Sequence, residues 1–356
     1  MSESMFLDIS DWYDSLAKAY APSNLSFSFK SRPEDFMVSE QLCFDPDGEG
    51  EHYFLLIDKT GANTEWVARQ LARIADCSVR DIGYAGLKDR HGICRQWFSM
   101  YLPGQPLPSL DSLPSDIKVV SITQHKKKLK HAGLKHNEFS VVLRGMKNDS
   151  LNELERRWDT IRENGVPNYY GYQRFGREGG NITKALRWKN AKTRPRSRQE
   201  SSMVLSSARS YLFNRSLSTR VDRGDWLVPH QSDLIIFDGS GSCYAYQGDS
   251  DTLDRLRLGQ VHIASDGRSL SSDSLEGSGR DDEDAVSVCL EQLLVKQRVA
   301  STNRPLRVIP KSCQLTFKND EVQLRFQLPP GSYATAVLRE LGQINDQSTE
   351  LSTLNQ

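Results

Sequence analysis

The segment Gly83-Tyr84-Ala85-Gly86-Leu87-Lys88-Asp89-Arg90-His91-Gly92-Ile93-Cys94-Arg95-Gln96-Trp97 holds the residue types best suited to chemistry. An apolar run from Ile82 to Leu87, eased by two glycines, gives way to Lys88, Asp89, Arg90 and His91 in succession. The apolar pattern resumes at Trp97-Phe98-Ser99-Met100. Such a pattern reads as strand, polar turn, strand. The turn sets one carboxylate between two cations, with an imidazole beside it, and neighbouring positive charge favours the ionised form of Asp89. A carboxylate held ionised among cations suits a nucleophile, or a group that meets an anionic substrate. Asp is also an ordinary turn residue, because its side chain bonds its own backbone. The segment alone leaves both readings open.

Two other stretches suit a polyanion. His125-Lys126-Lys127-Lys128-Leu129-Lys130-His131-Ala132-Gly133-Leu134-Lys135-His136 gathers five lysines and three histidines around two leucines. That density offers many phosphate contacts, the alternative being a flexible basic loop without a partner. Pro167-Asn168-Tyr169-Tyr170-Gly171-Tyr172-Gln173-Arg174-Phe175-Gly176-Arg177 interleaves aromatics, arginines and glycines. Exposed, such residues stack bases and hold phosphates. Buried, they are a glycine-bent hinge with its aromatics in the core.

The elements that must carry these residues follow from periodicity. Helices are predicted near Asp11 to Ala21, over Thr64 to Ala75 with Thr64 as N-cap, Leu151 to Asn164, Met203 to Val221, Glu283 to Ala300 and Ala336 to Gly342. Strands are predicted around Phe36 and Val38, at His52 to Asp58, Asn137 to Arg144, Cys313 to Phe317 and Val322 to Leu328. Pro103 to Pro114 and the basic tract Arg187 to Arg198 read as loops. Residues 222–310 are acidic and rich in Ser, Gly and Asp, with turns at Asp238-Gly239-Ser240-Gly241 and Gly277-Ser278-Gly279. They read as an appended or inserted region.

The length of 356 residues suits about two domains. Formal net charge is zero, but it is unevenly spread. Residues 121–200 hold 19 Lys and Arg against 8 Asp and Glu, whereas residues 231–295 hold 4 against 13. The asymmetry points to a polyanionic partner for the basic part. The six cysteines form no CxxC pair and no zinc-ligand cluster, so no metal is expected. Reduced thiols in the cytoplasm are the expectation. The N-terminus lacks a secretory pattern, and no apolar run is long enough to span a bilayer, so no membrane partner is expected. Neither a GxxxxGK[ST] nor a convincing GxGxxG is present, which counts against a nucleotide cofactor. No feature sets an oligomeric state, and a monomer is the default.

Six motifs in order resemble the TruD family of tRNA pseudouridine synthases. They are Arg32-Pro33-Glu34-Asp35-Phe36, Gly86-Leu87-Lys88-Asp89, Asn137 with Phe139, Pro167-Asn168-Tyr169-Tyr170-Gly171 with Gln173-Arg174-Phe175-Gly176, Ser207-Ala208-Arg209-Ser210-Tyr211-Leu212-Phe213-Asn214, and Leu328-Pro329-Pro330-Gly331-Ser332-Tyr333-Ala334-Thr335. The resemblance covers about residues 30–341. The family usually has Phe where Tyr333 stands, and residues 222–310 match poorly. The resemblance implies isomerisation of a uridine in tRNA, at position 13 of the D-arm, with Asp89 as catalytic nucleophile and no cofactor. It implies that Phe36, Asn137 and Tyr333 contact the target uridine. Lys88, Arg90, Lys126, Lys127, Lys128, Lys130 and Arg174 are the candidate RNA contacts, and Lys88 or Arg90 the candidate counter-charge of Asp89 or a nearby phosphate. The implied fold is α+β: a mixed, largely antiparallel pseudouridine synthase sheet with its elements in permuted order and an inserted second α/β domain. The expected division is 1–162 and 310–356 for the catalytic domain and 163–309 for the insertion. Two other classes stay open, a noncatalytic RNA-binding protein and an RNA-modifying enzyme of another chemistry, such as a methyltransferase.

Overall fold

The computed structural model describes residues 8–90, 92–146, 150–189, 195–267, 281–318 and 321–348. His91, the Gly277-Ser278-Gly279 turn and residues 190–194 of the basic tract lie outside the described residues. The fold is α+β with a mixed, largely antiparallel sheet. The chain divides into two compact units. One comprises Ser23–Arg162, Pro310–Gly331 and Leu341–Gln356, the other Met1–Pro22, Glu163–Ile309 and Ser332–Glu340.

The unit that contains Asp89 is built on a ten-stranded sheet. Its strands are β1 (Ser26–Phe29), β2 (Phe36–Leu42), β3 (His52–Thr60), β4 (Ile82–Tyr84), β5 (Ile93–Tyr101), β6 (Ile117–His125) and β7 (Leu134–Arg144), with Lys311–Lys318, Glu321–Leu328 and Gln343–Asp346. The main path runs Lys311–Lys318, Glu321–Leu328, β7, β2, β5, β3, β6. Pairing is antiparallel except for β2 beside β5 and β1 beside Gln343–Asp346.

Alternation sets the covered face. β2 buries Phe36, Val38, Glu40 and Leu42, while Met37 and Gln41 are exposed. β7 likewise buries Asn137, Phe139, Val141 and Leu143. The helix α1 (Thr64–Ile74) lays Val67, Ala68 and Leu71 on Leu55, Ile57, Phe98 and Met100. The helix α2 (Leu151–Asn164) sets Trp158 edge-on to Phe326, which stacks on Phe139. Each such large apolar side chain contributes about 1.5–3 kcal/mol relative to exposure. A one-residue slip would turn the whole row to water, so register is held. The other face carries polar contacts such as the bidentate Arg95–Asp58 pair at 2.8 Å.

Several boundaries differ from the sequence expectation for identifiable reasons. β7 begins at Leu134, not Asn137, because Leu134 is buried with Leu42, Phe54 and Leu129. Asn63, not Thr64, occupies the N-cap position, which makes Thr64 the first helical residue.

The other unit carries a four-stranded antiparallel sheet, ordered Cys243–Ala245, Leu234–Phe237, Val261–Ser265, Arg304–Pro305. A two-stranded ladder joins Val166–Pro167 to Arg307–Val308. Helices Gly180–Lys189, Arg198–Asp222, Ser250–Arg257 and Asp281–Lys296 belong to it. The helix expected from Met203 starts at Arg198, because the Ser197 side chain caps the Glu200 amide at 3.1 Å. Helix Gly180–Lys189 takes up the first residues of the stretch expected to be a basic loop. The N-terminal helix is confined to Ile9–Ser15, and its Trp12 stacks on Tyr211 with ring centroids 4.1 Å apart. The last helix runs Ala334–Leu341. No helix among the described residues is long and apolar enough to cross a membrane, and all six cysteines are free thiols.

Candidate active site

Four polar side chains interrupt the buried row of the large sheet: Glu40 on β2, Lys59 on β3, Gln96 on β5 and Asn137 on β7. Buried polar groups cost free energy unless they are bonded. Here most of the bonds go to the loop that carries Asp89, which lies outside any helix or strand. Gln96 Nε2 donates to the Gly86 carbonyl at 2.7 Å, and the Thr64 hydroxyl donates to Gln96 Oε1 at 3.0 Å. The same hydroxyl accepts from the Lys88 amide at 3.1 Å. That double use is why Thr64 sits inside the helix start and does not cap it. Lys88 Nζ lies 2.5 Å from Glu40 Oε1, and Glu40 Oε2 accepts from the Trp97 amide at 2.9 Å. Lys59 Nζ and the Cys94 thiol both donate to the Asp89 carbonyl, at 3.0 and 3.3 Å.

The carboxylate of Asp89 pairs with Lys30, whose Nζ stands 2.5 Å from Asp89 Oδ2. From sequence, Lys88 or Arg90 is the candidate counter-charge of Asp89 or of a nearby phosphate; in the structure the ammonium on the Asp89 carboxylate is that of Lys30. Lys88 is drawn to buried Glu40, and Arg90 Nε donates to the Gly61 carbonyl at 3.0 Å. Lys30 is 59 residues away in sequence but adjoins Asp89 through β1. Its backbone takes a left-handed φ of 57°, a conformation that costs a residue with a Cβ about 1–2 kcal/mol. Strain of this kind concentrates at functional sites. The ammonium also lies 4.7 Å from the Phe36 ring centroid and 5.1 Å from that of Phe29. The Asp89 side chain is 24% exposed, so the carboxylate is partly enclosed and still open to solvent. Gly92 is required beside it, since a Cβ there would meet the Phe36 carbonyl at 2.5 Å.

Phe36 is buried and set edge-on to Phe29, with ring centroids 5.4 Å apart. Asn137 stands directly across the strand pair from Glu40. Its side-chain oxygen is buried and has no hydrogen-bond partner among the described residues. An acceptor left so costs about 1–3 kcal/mol, a cost that a ligand donor would remove.

The basic tract is anchored rather than loose. Leu129 is buried, and its amide donates to the Ser99 hydroxyl at 3.0 Å. Lys126 pairs with Glu49 at 2.6 Å on the surface, and the Lys128 ammonium donates to the Arg80 carbonyl. Lys127 and Lys130 are exposed.

The remaining predicted residues belong to the other unit. Tyr333 lies edge-on to Tyr170, ring centroids 6.0 Å apart, and burial pushes its hydroxyl pKa up. The Arg304 guanidinium lies 4.0 Å from the Tyr170 ring centroid and donates to Asn168 Oδ1 at 2.7 Å. Arg174 sits near the same ring and donates to the Ser206 and Ser210 hydroxyls. Asn214 holds Tyr170 by both backbone groups, at 2.8 and 3.0 Å. The two readings of this aromatic segment divide: Tyr169 and Phe175 are fully buried, while Tyr170 and Tyr172 are half-buried.

Lys30, Glu40, Lys59, Gln96 and Arg304 are not among the site residues predicted from sequence. For Glu40, Lys59 and Gln96 a signal exists: each falls in phase with inward-facing residues of its strand, such as Leu55 and Ile57 before Lys59. A charged residue at an inward position is out of place unless it has a partner.

Comparison with known proteins supplies the family. The family model described as tRNA pseudouridine synthase D (TruD) matches residues 23–186 and 182–341. The tRNA pseudouridine synthase D of Methylococcus capsulatus is 38% identical over 349 residues, covering 94% of this chain and 96% of that one. The protein of the same name from Nitrosococcus oceani is 40% identical over 326 residues, covering 88% and 89%. A crystal structure of a putative tRNA pseudouridine synthase D from Methanosarcina mazei shares the fold, with a TM-score of 0.65 at 21% identity over 96% of this chain and 99% of that one. The chain therefore belongs to the tRNA pseudouridine synthase D (TruD) family.

Proposed function

We propose that this protein isomerises a uridine of tRNA, at position 13 in the D-arm, to pseudouridine, with Asp89 as the nucleophile. The observation that carries the reading is the Lys30–Asp89 pair at 2.5 Å, set in a loop whose main chain is gripped by buried side chains. An adjacent ammonium favours the carboxylate form, which is the form that acts as a nucleophile.

The reaction breaks the C1′–N1 bond, turns the freed uracil and joins C1′ to C5. The hydrogen on C5 leaves as a proton, and N1 gains one. No atom of a cofactor enters the product. Asp89 serves this sequence either by adding to the nucleotide or by assisting departure of the base through a glycal. A uridine in folded RNA must first leave its stack, then be held by stacking and by its hydrogen-bonding edge. Asn137, with an acceptor awaiting a donor, suits the uracil N3–H. Phe36 adjoins Lys30 and offers an aromatic wall. For Tyr333 the proposal rests on the motif in which it stands. Lys127 and Lys130, with Lys126, Lys128 and Arg174, are proposed to meet tRNA phosphates, and Lys88 and Arg90 to steady the loop. The test is incubation of the purified protein with unmodified tRNA, followed by pseudouridine mapping. Pseudouridine at position 13 supports the reading, and its absence from every tRNA with a uridine there contradicts it.

A further inference from the structure

Lys59 is 1% exposed, yet it carries an ammonium. Its Nζ donates to two backbone carbonyls, Ala62 at 2.7 Å and Asp89 at 3.0 Å. Among the described residues no carboxylate oxygen lies within the 4.0 Å of a salt bridge to it. A buried charge without an ionic partner is expensive, and an apolar side chain of the same length would be cheaper for stability alone. Burial lowers the Lys59 pKa, with partial compensation from Cys94 and Asp89. The location points to what the cost supports. Lys59 faces Cys94 across the β3–β5 pair, and the two side chains grip the same carbonyl.

We propose that Lys59 is a positioning residue for Asp89: its ammonium pins the Asp89 main chain from below and adds a second positive charge behind the carboxylate that Lys30 holds from the side. The proposal rests on Asp89 being the reacting carboxylate. Among the described residues, the charged and titratable groups around Asp89 include Lys30 after β1, Glu40 on β2, Lys59 on β3, Cys94 on β5, and Lys88 and Arg90 on its own loop; His91, two positions on, lies outside the described residues. Lys88 is offset by Glu40 at 2.5 Å, and Arg90 is turned to the Gly61 carbonyl. Among the described residues, Lys30 and Lys59 are thus the ammonium groups bonded to Asp89 itself. Lys59 is too deeply buried to touch RNA, so it acts on rate and not on affinity.

The experiment compares Lys59→Met and Lys59→Gln with wild type in single-turnover pseudouridine formation across pH, with tRNA affinity measured in parallel. Methionine removes both the charge and the donor. Glutamine keeps an N–H donor but no charge. Displacing a reacting group by about 1 Å costs on the order of 10²-fold in rate, and a loss of that size is expected for Lys59→Met with unchanged tRNA affinity. Lys59→Gln should recover part of the rate. In both variants the acid limb of the profile should move to higher pH, because a carboxylate that loses a cationic neighbour stays protonated further up the scale. A purely structural lysine would not move that limb. Wild-type rate and wild-type acid limb in both variants would overturn the proposal, as would failure of both to fold, which would make Lys59 structural. Asp89→Asn is run beside them. Turnover in Asp89→Asn would overturn the role of Asp89 itself, whereas an inactive Asp89→Asn beside wild-type Lys59 variants would overturn the role of Lys59 alone.

Discussion

Replacing Lys30 by methionine keeps the length and the apolar stem that lies on Phe29 and Phe36 but deletes the ammonium 2.5 Å from Asp89. The side chains of the pair are 7% and 24% exposed. Breaking a fully buried pair costs about 3–5 kcal/mol, and an exposed pair is worth less than about 1 kcal/mol. With Lys30 enclosed and Asp89 a quarter open, water re-solvates part of the orphaned carboxylate, which places the loss at about 2–3 kcal/mol between those limits. If that loss falls on the reacting state, turnover drops by about 30- to 150-fold. Methionine inherits the left-handed backbone of Lys30, so no relief of strain confuses the comparison. Asp89 without its cation is protonated to higher pH, so the acid limb of the rate profile should rise as well. The assay is single-turnover pseudouridine formation from about pH 3 to 7, a range that spans the ordinary aspartate value of about 3.9 and so reads movement of the acid limb. Affinity for tRNA should hold, since Lys30 is 6% exposed and offers no surface to a phosphate. A Lys30→Met protein with wild-type rate and an unmoved acid limb would refute the claim that this pair prepares Asp89.

Replacing Lys126, Lys127, Lys128 and Lys130 by alanine should weaken tRNA binding and flatten its log–log salt dependence by about 0.7–0.9 for each phosphate no longer neutralised. Because Lys126 and Lys128 already have protein partners, the Lys127 and Lys130 pair alone should account for most of the change; an unchanged slope would turn the tract away from RNA. In the other unit, burial raises the pKa of Glu340, whose Oε2 accepts from the amides of Ala19 and Tyr20 at 3.0 and 3.4 Å. A raised folded pKa contributes stability that is complete below the unfolded glutamate value and is lost as pH rises through the folded one. Glu340→Gln should therefore remove that part of the fall in Tm with rising pH, read by thermal melts, and an unaltered slope would contradict the assignment.

Much of the fold was legible because burial here follows simple periods. Alternation in Phe36, Val38 and Leu42 and in Val322, Leu324, Phe326 and Leu328 marks strands, and the spacing of Leu154, Trp158 and Ile161 marks a helix. Boundaries failed where a tertiary partner outvoted local chemistry, as at Thr64, whose hydroxyl is committed to Gln96 and Lys88, and at Leu134, which the core recruits. Asp89 stood out because its neighbours in sequence are charged. Its actual partner did not, because Lys30, just after β1, reaches it by a side-chain contact across 59 positions of sequence and not from the same loop. Adjacent charge in sequence misdirects here for a physical reason. Buried Glu40 draws the Lys88 ammonium and the Gly61 carbonyl takes Arg90 Nε, so both cations are engaged by other partners. The inward phase of Glu40 and Lys59 was readable and is the pattern that charged residues at strand interiors present when they serve a site.

The central claim is that Asp89 drives an isomerisation at uridine with no added reactant. Joining C1′ to C5 must expel the hydrogen on uracil C5, whichever way Asp89 engages the nucleotide. The direct measurement is release of tritium to water from tRNA labelled at C5 of uridine, with this protein alone and with Asp89→Asn. The account predicts release by the wild type without a methyl donor or nucleotide, product RNA of unchanged mass apart from the exchanged label, and suppressed release by Asp89→Asn at normal Tm and normal tRNA affinity. Release that requires an added donor, wild-type release by Asp89→Asn, or no release from any tRNA bearing the uridine would contradict it.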